Sequence, residues 1–449
     1  MDFISSFVFA ILVFIAVIFV LVLVHELGHF LAAKLFGMRV ERFSIGFPPR
    51  LVGKKVGDTD YCISATPLGG YVKISGMAEE MEEHEVQKEP QPWEYRSKPV
   101  WQRIIVITAG VIFNMILAYV IFTGIVYSYG SERIPIENVS SFYIPEGSTA
   151  HEVGFRTGDQ IVAVKDRPIE YVDSPVLFSL SDLTSSTLSF TVLRDGEEVT
   201  LQAPEGLMDK ISQDQDFVTI ENALPSKIGM VSEGDPAYEA GMQSGDEIVA
   251  INGEEISFWL QMVEYIQNAE NSLELTVLRD GETFTTSVTP DSESGLIGVG
   301  PVNLFDYFNA ESIQYGLLGS IQEGINQTHD TAGAIVNGFQ QLLTGSISVR
   351  QNLGGPIAIA DISAEATKTG GMLGFWRIMA YLSITLAIVN ILPIPMLDGG
   401  HLMFLIYEGI TRREPSMRVK MGLQQIGLIL LVGLMIFVIF NDILRIVGN

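Results

Sequence analysis

The sequence predicts a polytopic α-helical membrane protein that carries a large water-exposed insertion. Three observations point there: four separate apolar runs of bilayer-crossing length, a charge imbalance confined to one interval, and a duplicated motif inside that interval. Overall 47% of the 449 residues are hydrophobic and mean hydropathy is +0.31, values that a water-soluble chain rarely reaches.

The first run, Phe3 to Val24, is interrupted only by Ser5 and Ser6. It is long enough as a helix for a hydrocarbon core of roughly 30 Å. A cleaved secretory signal would carry a basic n-region and a shorter apolar stretch. Here Asp2 is the only charge before the run and Lys34 is the first cation, so a retained span is expected. Ile104 to Ile125, Phe375 to Ile394 and Leu423 to Phe440 supply three more spans.

The net charge of −26 comes from one place. Residues 126–372 hold 37 acidic and 10 basic side chains, while the rest of the chain holds 16 and 17. An acidic region is therefore inserted between spans two and three, and nothing in the charge pattern suggests nucleic acid as a partner. Ten Lys and Arg residues occupy the Gly37 to Arg103 loop, and Arg412, Arg413, Arg418 and Lys420 follow the third span. The positive-inside rule then puts both basic loops in the cytoplasm, and the acidic region and both termini outside. With Cys62 as the only cysteine, the exported region has no disulfide.

Within the acidic region, the sequence from Gly154 through Gly158-Asp159 to Val164 recurs as Gly241 through Gly245-Asp246 to Ile251. Downstream, Phe190-Thr-Val-Leu-Arg-Asp-Gly196 is echoed by Leu275-Thr-Val-Leu-Arg-Asp-Gly281. These are tandem copies of one small fold, since a solenoid needs more repeats. Each copy reads as a short helix, a Gly-Asp turn and alternating strands closed by an Arg-Asp-Gly hairpin. The pattern resembles PDZ domains of bacterial envelope proteases. Such domains capture peptides by strand addition; the alternative is that they occlude or space the site. The first copy has no obvious carboxylate-binding loop, and Ile228-Gly-Met-Val231 is a weak match in the second.

The expected organisation is a first span (1–37), a cytoplasmic loop with β-hairpin (38–103), a second span (104–126), two PDZ-like units (127–222 and 223–305), an amphipathic helical connector (306–372) broken at Gly354-Gly-Pro356, a third span (373–407), and a basic loop with the fourth span (408–449). The cytoplasmic loop is rich in turn and β-forming residues, from Gly46-Phe-Pro-Pro49 to Asp60 through Lys73. The charge run from Glu79 to Glu89 reads as a solvated linker.

The chemistry concentrates in His25-Glu-Leu-Gly-His29. On a helix, positions i and i+4 share a face, so both imidazoles can reach one Zn²⁺ while Glu26 sits beside it as a proton acceptor. Two buried core histidines are the bland reading, but such groups in a span are costly without a role. A catalytic zinc site takes three protein ligands. The acid associated with the third span is Asp398, in Asn390-Ile-Leu-Pro-Ile-Pro-Met-Leu-Asp-Gly-Gly400, where Pro393, Pro395, Gly399 and Gly400 break the helix. On its own Asp398 is an ordinary helix-end acid. The topology carries the first and third spans to the same side, where His29 and Asp398 meet.

This set, an HExxH ending the first span, Asn-x-x-Pro-x-Pro-x-Leu-Asp-Gly-Gly in a later span and PDZ-like repeats between, resembles the site-2 protease family of intramembrane zinc metalloproteases, essentially end to end. The resemblance implies Zn²⁺ on His25, His29 and Asp398, catalysis by Glu26, and a substrate-contacting role for Asn390. It also implies an inner-membrane enzyme that cuts an anti-sigma factor and signal-peptide remnants. Tyr71-Val72-Lys73 and Gly354-Gly-Pro-Ile357 look like further signatures. Asn114, Tyr71, Val72, Lys73, Pro393 and Pro395 join Asn390 as substrate-binding candidates. One departure is Val111, where the family's Gly-Pro-x-x-Asn has proline, so Asn114 reads equally as an interhelical hydrogen-bonding residue. A substrate helix must unwind to expose its carbonyls, and a hairpin around Ile63 to Ile74 could take it as an added strand. A zinc transporter or a non-catalytic scaffold are the rivals. Transport needs a continuous polar path, and the spans offer few polar groups besides Asn114, Thr123, Ser383 and Thr385.

Overall fold

In the computed structural model, residues 3–77, 89–165, 167–172, 188–204, 207, 217–269, 271–291, 295–344 and 354–447 are described. Most of the charge run that begins at Glu79 lies outside them. The chain divides into two compact units, Met1–Tyr129 with Tyr315–Gly448, and Gly130–Gln314.

Among the described residues, the first unit contains four helices long and apolar enough to cross a membrane. The first spans Phe3–Leu35 and up to Val24 is apolar on every side, as a helix facing lipid and neighbours must be. It buries Val13, Val17 and Leu21 against Ala118, Ile121 and Phe122 of the second span (Val100–Tyr129) and against Met379, Ala380 and Ile384 of the third (Pro356–Ile391). Gly28 sets how closely the first two approach: a Cβ there would stand 2.4 Å from the Ala109 carbonyl oxygen. Small residues at such crossings let backbones touch.

The third helical run differs from the expected one at both ends. It starts at Pro356 and is broken at Gly371, which has φ 57° and ψ −140°. Its N-terminus is tied by Asp442 of the fourth helix (Met417–Val447): Oδ1 accepts from Gly355 N–H at 2.9 Å, and Oδ2 from Ile357 and Ala358 at 3.1 and 3.2 Å. At the far end the run stops at Ile391. Pro393 and Pro395 cannot continue a helix, so Asp398 opens a separate helix, Asp398–Thr411, instead of ending the span. The connector supplies an amphipathic helix, Leu317–Thr344, packed against the second span, where Tyr119 Oη and His329 Nε2 lie 3.0 Å apart.

After the first span the chain turns back, with Met38 N–H bonded to Ala33 C=O at 2.9 Å. It forms β1 (Val40–Val56) and β2 (Thr59–Ile74). Each strand folds on itself: Arg42–Ile45 faces Gly70–Lys73 in descending register and Asp60–Ile63 in ascending register. The Phe43 ring lies 5.3 Å from Phe30, and a Cβ on Gly70 would stand 2.9 Å from Val22 and 3.2 Å from Glu26. The hairpin therefore runs back along the first span, toward mid-helix. Charged residues gather at its base together with exposed Val56, and Phe47, Leu51, Val52 and Ile63, also exposed, lie toward its tip.

In the second unit the two sequence copies build matching four-stranded sheets. One orders strands 167–168, 160–164, 189–194 and 197–202, and the other 254–255, 247–251, 273–279 and 282–288. The Gly-Asp and Arg-Asp-Gly motifs meet in each. Arg194 grips Asp159 through two hydrogen bonds of 2.7 Å, and Arg279 grips Asp246 at 2.6 and 2.7 Å. Burial raises the Asp246 carboxyl, but the Arg279 guanidinium and the Gln243 N–H outweigh it and hold its pKa below the usual carboxylate value. Asp195-Gly196 and Asp280-Gly281 all have positive φ, the geometry of tight hairpin turns. Ile228–Val231 is a strand paired with Val299–Pro301, not a loop.

Candidate metal centre and active site

His25 and His29 project from one face of the first helix, both buried, with their Nε2 atoms 3.2 Å apart. Asp398 Oδ2 completes a triangle, 3.3 Å from His25 Nε2 and 3.5 Å from His29 Nε2. Among the described residues this is the one cluster of His, Cys, Asp and Glu that could share an ion. Its edges match the roughly 3.3–3.4 Å between ligand atoms of a tetrahedral site with bonds of about 2.0–2.1 Å. Asp398 Oδ2 is buried without a hydrogen-bond partner, which a cation at the centre would remedy.

The tautomers agree with that fit. His29 Nδ1 lies 2.8 Å from the Val106 carbonyl oxygen; it must donate there, which leaves Nε2 with its lone pair. His25 Nδ1 lies 3.3 Å from the Asn114 amide nitrogen, while Asn114 Oδ1 is buried with no partner. Amide O and N are interchangeable by rotation. Turned over, Oδ1 accepts from His25 Nδ1–H, the orphan is satisfied, and His25 Nε2 is also free to ligate. Ser383 Oγ donates to the Asn114 backbone carbonyl at 2.8 Å and locks the second span to the third at this level.

Glu26 follows His25 on the helix and faces β2. The Val72 backbone N–H lies within hydrogen-bonding reach of its carboxylate, so the outer edge of segment 70–74 runs beside the cluster. Gly110 underlies both rings: a Cβ there would sit 2.5 Å from His29 Nε2 and 2.6 Å from His25 Cε1.

The sequence pattern of peptidase family M50 matches residues 13–434. The chain belongs to this family. A regulator of sigma E protease from Haemophilus influenzae is 32% identical over 98% of this chain and 100% of its own length. The regulator of sigma-E protease RseP of Escherichia coli is 32% identical over 98% and 99%. A Neisseria meningitidis protein provisionally named a zinc metalloprotease is 30% identical over 97% and 99%.

Of the residues singled out in sequence, this M50 chain brings His25, His29, Asp398, Glu26, Asn114, Asn390 and Val72 together. Asn390 Nδ2 lies 3.3 Å from His25 Nε2. Tyr71 and Lys73 behave differently: Tyr71 accepts from Arg42 and Lys73 pairs with Glu41 at 3.2 Å, away from Glu26. Pro395 is wedged between Gly400 and Gly427, where any Cβ would clash with it, and so shapes the loop that presents Asp398. Pro393 lies in the same loop. Gly110, Gly70 and the Val106 carbonyl escaped sequence reasoning. A glycine in the Gly110-Val-Ile-Phe-Asn114 stretch was the available signal, but its partners become visible only when the helices pack.

Proposed function

We propose that this chain is a zinc-dependent endopeptidase that cuts transmembrane segments inside the bilayer, with His25, His29 and Asp398 as metal ligands. The observation that carries the reading is the triangle of three lone-pair-bearing atoms beside the Glu26 carboxylate and a strand edge. Bound zinc supplies a Lewis acid for the scissile carbonyl and acidity for the attacking water. Glu26 takes the proton from that water and delivers it to the leaving amine. Val72 N–H steadies the Glu26 carboxylate, and Val106 C=O and Asn114 fix the two imidazoles.

Segment 70–74 accepts the unwound substrate as an added strand, which orients its carbonyls by main-chain hydrogen bonds. Asn390, at the rim beside His25, holds the substrate backbone. The charge pattern supports an inner-membrane orientation with the acidic unit and both termini outside. The two copies in that unit are PDZ domains that select substrates by ligand capture or by size. The names of two relatives point to sigma-E regulation; within that setting an anti-sigma factor is the substrate this reading takes from the family resemblance, with signal-peptide remnants as a second class.

Incubating the detergent-purified protein with a single-span substrate tests the reading. Chelator-sensitive cleavage inside the span is expected; cleavage confined to soluble flanks, or unaffected by chelator, would overturn it.

A further inference from the structure

The base of the re-entrant hairpin holds a feature that peptide hydrolysis does not use. A cavity of about 550 Å³ opens there, lined by the cations Arg39, Arg42, Lys55 and Lys73 and by three acids. Each acid is already matched: Asp58 to Arg39 at 3.4 Å, Asp60 to Arg42 at 3.3 Å, Glu41 to Lys73 at 3.2 Å. Lys55 is left with no acidic partner among the described residues. The Nε–H of Arg39 is buried without a hydrogen bond, and the Nε–H of Arg42 faces only Asp60 Oδ2 at 3.3 Å, an ion pair outside hydrogen-bond geometry. The cavity thus lacks one anion with several acceptor oxygens, and its volume lies within the range of small-ligand sites.

The same sheet says where that anion comes from. Three residues before Lys55, about 10 Å along the strand, begins the exposed apolar group of Val52, Leu51, Ile63 and Phe47. Arg50, set among them, bends back to Asp60 at 3.1 Å, as a cation does when its stem lies in lipid and its head seeks water. Cations at the base and apolar side chains toward the tip reproduce the polarity of a phospholipid.

We propose that this cavity binds the phosphate of an anionic phospholipid, whose acyl chains lie along the apolar tip of the hairpin. The site rests on the membrane placement of the spans. It would tether the strand that carries Val72, because Lys73 lines the cavity and Arg42 bonds Tyr71.

Native mass spectrometry of the full-length protein in detergent reads the site directly, with short-chain phosphatidylglycerol, phosphatidylcholine of the same chain length and glycerol phosphate as probes. Neither metal nor substrate enters the readout, so it stands apart from the peptidase assay. Phosphatidylglycerol is expected to bind more tightly than both other probes. Lys55→Gln, which breaks no ion pair, should weaken it about fivefold, while Lys54→Gln, a neighbouring charge outside the cavity, should leave it unchanged. Equal retention of the two lipids, or equal losses in the two variants, would overturn the site. Glycerol phosphate binding as tightly as the lipid would replace the lipid with a soluble phosphate ligand.

Discussion

Gly110→Ala is the sharpest perturbation of the proposed metal centre, because it replaces neither a proposed ligand nor the proposed base. The added methyl carbon would lie 2.5 Å from His29 Nε2, 2.6 Å from His25 Cε1 and 2.8 Å from His25 Nδ1, whereas ordinary contact begins at 3.4 Å. The shortfall of about 0.9 Å has to be taken up by the imidazoles or by the helix crossing. Flexible side-chain ends are not available to absorb it: His29 is fixed by Val106 and His25 by Asn114. Metal sites tolerate about ±0.2 Å in ligand distance, and overpacking costs about 1–3 kcal/mol. Zinc affinity should therefore fall roughly 5- to 150-fold. Chelator competition on purified protein measures it. Gly124→Ala on the same helix is the control, since nothing lies within 4 Å of its Cβ, and it should bind zinc like wild type. Unchanged zinc affinity in a folded Gly110→Ala protein would refute the placement of the metal.

Other consequences are as concrete. Val72→Pro removes the N–H beside Glu26 and the strand edge with it; cleavage should slow at least tenfold while zinc content stays unchanged. Asp246→Ala removes the two shortest bonds of Arg279, which keeps its contact with Gly241 C=O, and should lower the thermal transition of the acidic unit. Because the folded pKa of Asp246 is depressed, the pair's stabilisation is complete above the unfolded value near 3.9 and is lost as pH falls through the lower folded value. Acid titration of unfolding from neutral pH should thus show no loss from this pair until below about pH 4. Asp442→Ala leaves three N–H groups at the head of the third span unsatisfied. It should lower the melting temperature of the membrane unit by an amount equivalent to about 1–3 kcal/mol.

What the sequence disclosed follows the range of each interaction. His25 and His29 were legible because i,i+4 geometry is local, and Asp398 because span counting carries it to the same side. Glycine 110 was not, since its meaning lies in a crossing between two helices that sequence spacing does not encode. The Gly-Asp and Arg-Asp-Gly repeats were seen as separate turn signals; in each copy the buried acid and a partly exposed arginine more than thirty residues away turned out to form one ion pair. The hairpin was expected near Ile63 to Ile74, yet strand structure begins at Val40. Pro48 and Pro49 argue against a strand by propensity, but here they sit at a fold-back, where no ladder partner is needed. Tyr71 and Lys73 share a motif with Val72, but alternation along the strand sends their side chains to the other face.

The most direct test of the central claim is cleavage of a single-span substrate by Glu26→Gln after its zinc content has been measured. The expected result is a folded protein with wild-type zinc and no cleavage, which separates the proposed ligands His25, His29 and Asp398 from the proposed proton carrier. Cleavage at the wild-type rate by that zinc-loaded variant would contradict the account.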